Sequence, residues 1–241
     1  MRGRLVTPYY VTPCGSIRIY HARWEDVLAA GVFDPRDVAL VHADPPYGVK
    51  ERTDRASKGR SNATASRDFA AVAGDAEPFD PSALLCLTRP TVLWGANHYS
   101  NRVPGSPSWI TWDKRNGSTS DDNADCEHAW TNLGGPARLF SHLWRGMMRA
   151  SEHGDRYHPT QKPEALSSYV FQRAKLKRGD LVLVPYMGSG PDLRPALAMG
   201  LRVVACEVEE FYCRTAVNAR LRSVAKPEAP ETLGPLFGGG R

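Results

Sequence analysis

Residues 181–207 read LVLVPYMGSGPDLRPALAMGLRVVACE and are the most informative part of the chain about its fold. Four apolar residues at its start predict a buried strand, and a Gly-Ser-Gly turn follows directly. The segment 192–199 then predicts a helix, and residues 201–206 predict a second apolar strand. A strand, a glycine turn, a helix and a strand in this order indicate a parallel βαβ unit, and therefore an α/β fold.

The glycine turn and the acidic residue after the second strand predict a site for a nucleoside-bearing cofactor. Gly188 and Gly190 let the backbone approach a ligand closely, and the first N–H groups of the helix favour a carboxylate or a phosphate. Glu207, one strand over, can accept both hydroxyls of a ribose. A nicotinamide or flavin cofactor fits the same pattern, and many Gly-x-Gly turns only reverse the chain, so this stretch alone leaves the ligand open.

A second pattern, Asp44-Pro45-Pro46-Tyr47, directly follows a predicted apolar strand over residues 38–43. The prolines fix φ and remove two backbone donors, so the Asp44 carboxylate and the Pro45 carbonyl are presented as rigid acceptors at the edge of the sheet. Two such acceptors suit the two N–H bonds of an exocyclic amine that attacks a methyl carbon. Tyr47 can stack on an extruded base, a contact worth about 1–3 kcal/mol. The alternative is an ordinary turn, in which Asp and Pro are common.

Composition limits the classes of protein that this chain can belong to. Its 241 residues, 41% of them apolar, can form one sizeable core. Five cysteines without a CxxC pair argue against a disulfide framework and a zinc ribbon, so no metal is expected, although Cys126 and His128 lie close in the sequence. The absence of a signal peptide and of a membrane-length apolar run predicts a soluble, cytoplasmic protein. The formal charge of +5 permits a polyanionic partner without proving one.

Basic residues concentrate in two parts of the chain. Residues 48–77 contain almost no large apolar residue and predict a long mobile loop, with six basic and two acidic residues between Lys50 and Arg67. The basic residues of this loop suit contact with phosphates, the alternative being a merely solvated loop. The irregular region 116–156 is predicted to be an inserted subdomain. The basic residues that suit a polyanionic partner are Lys50, Arg52, Arg55, Lys58, Arg60, Arg115, Arg138, Arg145 and Arg149.

Six segments of the chain resemble motifs of the DNA amino-methyltransferase family, in the arrangement with the catalytic motif first and the cofactor motif last. Short enzymes of this type are common in phages and prophages, and this chain looks like one of them. The resemblance divides the chain into a catalytic half (1–115), the target-recognition insertion (116–156), a cofactor-binding half (157–225) and a disordered tail (226–241). The matching segments are Asp44–Tyr47, Trp94–Tyr99, Trp112–Lys114, Glu127–Thr131, His158–Pro163 and Pro185–Gly190.

This resemblance implies a fold, a donor and a set of site residues. It implies a Rossmann-like methyltransferase fold with a seven-stranded, mostly parallel sheet, S-adenosylmethionine as the methyl donor, and double-stranded DNA with a flipped base as the substrate. It also makes the nine basic residues named above candidates for DNA binding, and the region 116–156 the candidate for target recognition. The oligomeric state, monomer or homodimer, stays open. The implied catalytic residues are Asp44, Pro45, Pro46 and Tyr47. The implied cofactor-binding residues are Asp44, His158, Thr160, Lys162, Pro185, Tyr186, Met187, Gly188, Ser189, Gly190, Asp192 and Glu207, with Thr160 and Lys162 candidates for the methionine carboxylate.

Three positions depart from the family pattern, and all of them concern the cofactor pocket. Val184 stands where the family usually has Asp, Pro191-Asp192 where it usually has Thr, and Ala22 near a position that is often acidic. Loss of acids that face a sulfonium and an ammonium weakens cofactor binding. We hypothesise that Asp192 partly replaces them, which predicts that Asp192→Ala loses S-adenosylmethionine affinity in calorimetry.

The expected reaction is direct transfer of a methyl group to adenine N6, with no covalent enzyme intermediate. Cytosine N4 is the alternative acceptor, because the same pocket supports it, and Asp rather than Ser at position 44 favours adenine by resemblance. A catalytically decayed DNA-binding relative is a second alternative, motivated by the three departures. An oxidoreductase leaves Asp44-Pro45-Pro46-Tyr47 unexplained. The recognition sequence and a restriction partner cannot be inferred from the sequence.

Overall fold

The structure, a computed structural model, describes residues 6–48, 74, 76–118, 124–145, 148–153, 157, 158 and 160–222. Most of the basic loop, including Lys50, Arg52, Arg55, Lys58 and Arg60, and the predicted disordered tail lie outside these residues. Among the described residues, no helix combines the length and the apolar character that a membrane crossing requires.

Eleven strands and five α-helices, numbered in chain order, form the described part of the chain. The helices are α1 (Trp24–Ala29), α2 (Ser82–Leu85), α3 (Glu164–Arg173), α4 (Leu193–Met199) and α5 (Glu210–Ala216), the last continuing as a π-helical turn over Val217–Leu221. The strands are β1 (Tyr10–Val11), β2 (Ile17–His21), β3 (Val38–Ala43), β4 (Thr91–Trp94), β5 (Trp109–Asp113), β6 (Cys126–Thr131), β7 (Arg138–Ser141), β8 (Trp144–Arg145), β9 (Met148–Arg149), β10 (Leu181–Val184) and β11 (Arg202–Glu207).

Nine of these strands form one sheet in the order β1-β2-β11-β10-β3-β4-β6-β5-β7, and β8 and β9 pair separately. Five of the eight pairings in the large sheet are parallel and three are antiparallel. The predicted Rossmann-like α/β class is therefore confirmed. The predicted count of seven strands is too low, because the short β1 and the strand β7 extend the two edges of the seven inner strands.

The core lies on both faces of the sheet. In β10, Val182 and Val184 belong to the cluster that packs against α3, α4 and α5, whereas Leu181 and Leu183 belong to the cluster that includes α1 and α2. Successive side chains of a strand point to opposite faces, so a strand covered on both sides has to be apolar throughout. This is the physical reason for the uninterrupted apolar run in β10.

The region 116–156, predicted to be an insertion, supplies part of the sheet. Strand β6 pairs antiparallel with both β4 and β5, and β7 pairs with β5. Because β6 lies between β4 and β5, the described residues of this region are partly built into the core, and the β8–β9 hairpin stands outside the large sheet. Its role in target recognition stays a prediction.

The direction in which the chain adds strands to the sheet reverses between β10 and β3, which are parallel neighbours. From β10 the chain continues through α4 to β11 on one side, and from β3 it continues to β4 on the other side. In open α/β sheets, ligands bind in the crevice at the carboxyl ends of the strands at such a switch point. The Asp44 tetrapeptide and the glycine turn, which follow these two strands, therefore meet at one crevice.

Candidate active site

The Asp44 carboxylate stands at the carboxyl end of β3 with about a third of its side chain exposed. Its Oδ1 accepts a hydrogen bond from the Tyr47 hydroxyl at 2.6 Å and another from Lys162 Nζ, also at 2.6 Å. Burial, with the charge of Asp44 added, raises the pKa of Tyr47 well above its ordinary value. Tyr47 therefore stays protonated and donates, and the two donors together hold the carboxylate in one orientation.

A chain of alternating charges connects Asp44 to the neighbouring strands. Lys162 Nζ lies 2.6 Å from Asp44 Oδ1 and 3.1 Å from Glu127 Oε2, and Lys114 Nζ lies 2.9 Å from Glu127 Oε1. Burial disfavours the Lys162 ammonium, but the charges of Asp44 and Glu127 outweigh it and raise the pKa of Lys162. Burial likewise disfavours the Glu127 carboxylate, yet the two lysines outweigh it and lower the pKa of Glu127 to about 2. Lys162 and Glu127 are thus both charged at neutral pH.

The ring of Tyr47 is held in place by aromatic and backbone contacts. It stacks on His98, with ring centroids 5.2 Å apart and planes inclined by 14°. Gly95 lies so close that a Cβ at this position would overlap the Tyr47 ring, and its φ of +68° is in the left-handed region. Lys162 Nζ sits 5.6 Å from the centre of the same ring. A glycine is required here because the tyrosine ring occupies the space of its missing side chain.

The glycine turn after β10 is fixed to the end of β11 through Glu207. The Gly188 N–H donates to Glu207 Oε2 at 2.8 Å, and the Glu209 N–H donates to Glu207 Oε1 at 2.9 Å. Burial raises the pKa of Glu207, while these backbone donors act in the opposite direction. A Cβ at Gly190 would lie 2.8 Å from Leu193 Cδ1, so the turn packs tightly on the start of α4.

The segment before α3 lies beside this turn. A Cβ at Gly188 would meet the His158 ring at 3.7 Å, and that ring centroid is 4.4 Å from the ring centroid of Tyr212. The backbone N–H of Thr160, an exposed residue, donates to His158 Nδ1 at 3.2 Å. His158 and Thr160 are therefore near the glycine turn, as the resemblance implies, whereas the Lys162 ammonium turns towards Asp44 instead.

Three other residues of the glycine turn differ in their contacts. The ring of Tyr186 packs on Phe79, with centroids 5.8 Å apart. The Met187 N–H donates to the Cys206 carbonyl at 2.9 Å, which ties the turn to β11. Ser189 Oγ is buried and has no hydrogen-bond partner among the described residues. An orphaned hydroxyl in a tight turn marks a polar position that a ligand can satisfy.

Residues 109–218, which include the glycine turn and the Lys162–Glu127 pair, match the model of a protein family described as DNA methylase, the N6/N4 methyltransferases. Over these residues, which are slightly less than half of the chain, the sequence is similar to the DNA amino-methyltransferase family. The family match and the Asp44 geometry come from different parts of the chain, because Asp44–Tyr47 precede the matched residues.

Two solved structures of DNA methyltransferases resemble the chain in fold. The M1.HpyAVI structure in complex with SAM covers 84% of this chain and 99% of its own, with 18% identity and a TM-score of 0.51. The PvuII DNA methyltransferase, named as cytosine-N4-specific, covers 90% of this chain and 89% of its own, with 12% identity and a TM-score of 0.58. At these identities the similarity establishes the shared methyltransferase fold.

Two of the three departures from the family pattern can be located in the core. Val184 is buried within β10, so its side chain leaves no place for a carboxylate there. Asp192, predicted to replace the missing acid, is 5% exposed, and its Oδ1 lies 2.7 Å from His42 Nδ1. The structure thus gives this carboxylate a partner inside the core.

The four described arginines among the predicted DNA-binding residues differ in their surroundings. Arg115 is buried and forms an ion pair with Asp125. The guanidinium of Arg149 lies 4.5 Å from the Trp144 ring, and burial lowers its pKa. Arg138, at the start of the edge strand β7, is exposed, and Arg145 is half-buried. Arg138 is therefore the most exposed of the four.

Four residues of this candidate site lie in segments that resemble the family but have no role predicted from the sequence: Gly95, His98, Lys114 and Glu127. A usable signal existed for two of them, because Gly95 directly follows β4 and Lys114 directly follows β5. Side chains at strand ends collect at one edge of the sheet, but their mutual partners depend on strand order.

Proposed function

We propose that this chain is a site-specific DNA methyltransferase that transfers a methyl group from S-adenosylmethionine to the N6 amine of a flipped adenine in double-stranded DNA. The observation that carries the proposal is the meeting of two motifs at the carboxyl ends of the neighbouring strands β3 and β10. One motif presents rigid acceptors, Asp44 and Pro45, and the other presents a glycine turn tied to Glu207.

The residues around the glycine turn fit S-adenosylmethionine. Glu207 is fixed by two backbone donors, and a carboxylate has further lone pairs that can accept ribose hydroxyls. Ser189 Oγ is buried without a described partner, and His158 borders the turn beside Gly188. Bound there, S-adenosylmethionine supplies an activated methyl group on a sulfonium. Thr160, exposed next to His158, is the candidate for the methionine carboxylate, because Lys162 is already bound to Asp44 and Glu127.

Asp44 and Pro45 assist the amine of the target base. The lone pair of an exocyclic amine is delocalised into the ring, so the nitrogen is a poor nucleophile until its two N–H groups are drawn towards acceptors. The Asp44 carboxylate and the Pro45 carbonyl accept these bonds and favour the tetrahedral nitrogen of the transition state. Tyr47 and Lys162 hold the carboxylate by Oδ1. No covalent enzyme intermediate is needed, since the amine would attack the methyl carbon directly. The bond between this carbon and sulfur would break, S-adenosylhomocysteine would leave, and the methylated amine would then lose a proton.

The target base has to leave the duplex to reach this crevice, because a stacked base cannot present its amine to Asp44. The basic residues of the loop 48–77 are proposed to bind phosphates around the extruded nucleotide, and the region 116–156 is proposed to read the target sequence. The exposed Arg138 belongs to this region. DNA binding through phosphate contacts weakens steeply as salt rises.

Cytosine N4 is the second candidate acceptor, since its amine has the same two N–H bonds. The PvuII enzyme, named as cytosine-N4-specific, shares the fold. Adenine is proposed because Asp, rather than Ser, precedes the two prolines at position 44.

Mass spectrometry of nucleosides, after incubation of unmethylated DNA with the protein and isotope-labelled S-adenosylmethionine, tests the proposal. We expect labelled N6-methyladenine. Labelled N4-methylcytosine would show that cytosine is the acceptor, and the absence of both products would reject methyl transfer. Asp44→Asn keeps the size of the side chain but removes its charge, and should lower the rate by about a hundredfold or more. Asp34→Asn is the matched control, because Asp34 precedes the opposite end of β3 and pairs with Arg36.

A further inference from the structure

We propose that His42 is a positioning residue that, together with Asp192 and Trp94, sets the Asp44 tetrapeptide at a fixed place relative to the glycine turn. This inference rests on the proposed methyl transfer and adds three residues that do not contact the reacting atoms. It also gives a role to Asp192, which follows the glycine turn at a position where the chain departs from the family pattern.

His42 is buried in β3, two residues before Asp44, and both of its ring nitrogens have partners. Nδ1 lies 2.7 Å from Asp192 Oδ1, and Nε2 lies 2.9 Å from Trp94 Nε1. The imidazole is 6% exposed, and the Phe171 ring packs edge-on against it with centroids 5.9 Å apart. His42 therefore makes two directed contacts to two other elements of the fold.

The chemistry of these partners fixes the tautomer of His42. An indole N–H is only a donor, so Nε2 of the imidazole has to accept from Trp94. The proton of the neutral ring is then on Nδ1, from which it donates to the Asp192 carboxylate. Because Nδ1 donates and Nε2 accepts, the ring cannot flip without losing two buried hydrogen bonds.

Each partner leads to a different part of the site. Asp192 is the last residue before α4, in the connection that begins with the glycine turn, and the Leu193 N–H binds the Gly190 carbonyl. Trp94 ends β4, and its ring lies 5.9 Å from Lys162 Nζ. His42 itself lies two residues before Asp44 in the chain. One imidazole therefore connects the strand before Asp44, the tryptophan beside Lys162 and the connection that follows the glycine turn.

This arrangement assigns Asp192 a positioning role instead of a cofactor contact. Its carboxylate is turned into the core and bound by His42, and it makes no side-chain cap to α4. A polar pair buried at the base of two reactive motifs sets their separation, and a shift of about 1 Å between reacting groups can cost about a hundredfold in rate. Loss of the pair should therefore lower kcat more than it weakens cofactor binding.

Steady-state methylation by four variants tests the role of His42, Asp192 and Trp94, the positioning triad. Asp192→Leu removes the acceptor and should lower kcat at least tenfold, with KM for S-adenosylmethionine changed less than threefold. Asp192→Asn keeps an acceptor oxygen and should recover kcat to within about threefold of the wild type. Trp94→Phe removes the indole donor together with part of the buried ring and should lower kcat severalfold. It is the second test of the same contacts if Asp192→Leu does not fold. Asp180→Leu, at the amino end of β10, is the control.

Two results would overturn the triad. One is unchanged kcat in folded Asp192→Leu or Trp94→Phe protein with only a lower melting temperature, which would make the contacts purely structural. The other is a rise of more than tenfold in KM for S-adenosylmethionine in Asp192→Asn, which would make Asp192 a cofactor ligand.

Nitrogen-15 NMR of the histidines separates this inference from the proposed function. We expect His42 as the Nδ1–H tautomer in the wild type, and a changed resonance in Asp192→Leu. An Nε2–H tautomer would reject the triad even if the wild-type protein transfers no methyl group. A wild-type protein that is inactive but has the expected tautomer would instead reject methyl transfer.

Discussion

Glu127 provides the sharpest test of the charge chain, because two lysines lower its pKa to about 2 from an ordinary value of 4.5. A carboxylate whose pKa is lower in the folded than in the unfolded protein stabilises the fold above its unfolded pKa. That stabilisation is lost as the pH falls from about 4.5 towards 2. The perturbation is Glu127→Gln, which keeps the shape of the side chain but removes its charge and its titration.

The magnitude follows from the pKa difference. A pKa of about 2 for Glu127 in the folded protein, against 4.5 in the unfolded protein, corresponds to about 3 kcal/mol at pH 7. This is an upper limit because Lys114 and Lys162 share the interaction. By the same relation, about 1 kcal/mol of this is lost between pH 7 and pH 4, and about 2 kcal/mol by pH 3. The difference in unfolding free energy between wild type and Glu127→Gln should therefore shrink by about 1 kcal/mol between pH 7 and pH 4.

Urea unfolding followed by tryptophan fluorescence at pH 7, 5.5 and 4 measures this difference. The exposed Glu77 is the matched control, and the gap between the wild type and Glu77→Gln should stay small at all three pH values. A gap between wild type and Glu127→Gln that is the same at pH 7 and pH 4, or that widens towards pH 4, would refute the assignment of Glu127 as a buried carboxylate held by two ammonium groups.

Three further predictions concern the crevice itself. Lys162→Met removes the ammonium beside Asp44 and should lower the methylation rate at least tenfold. Calorimetry should show an S-adenosylmethionine affinity within threefold of the wild type. A large loss of affinity would instead make Lys162 a cofactor ligand. Gly95→Ala should displace the Tyr47 ring and cost about 1 kcal/mol or more of stability from the left-handed backbone alone, measured by thermal unfolding, with a parallel loss of activity; unchanged activity would contradict the contact. Glu207→Gln should weaken S-adenosylmethionine binding about tenfold in calorimetry while DNA affinity in a gel-shift assay is retained, and equal losses of both would point to misfolding.

Local sequence was enough to determine the fold class and the two reactive motifs. The run Leu181–Val184 and the strand before Asp44 are apolar without interruption, which indicates strands covered on both faces. Proline and glycine at 45, 46, 188 and 190 restrict or free the backbone wherever they occur, so their effect is readable without the rest of the fold. Each motif directly follows a predicted strand, and the carboxyl ends of parallel strands lie at one edge of the sheet, so the two motifs could be expected to meet there.

Tertiary structure alone decided which side chains became partners. Lys162 reaches Asp44 across 118 positions of the chain, and His42 reaches Asp192 across 150. Whether β6 enters the sheet between β4 and β5, and so brings Glu127 to Lys162, depends on the order of the strands. Periodicity and turn chemistry act between near neighbours in the sequence, whereas a buried charge takes whichever opposite charge the packing of distant strands places within about 3 Å of it.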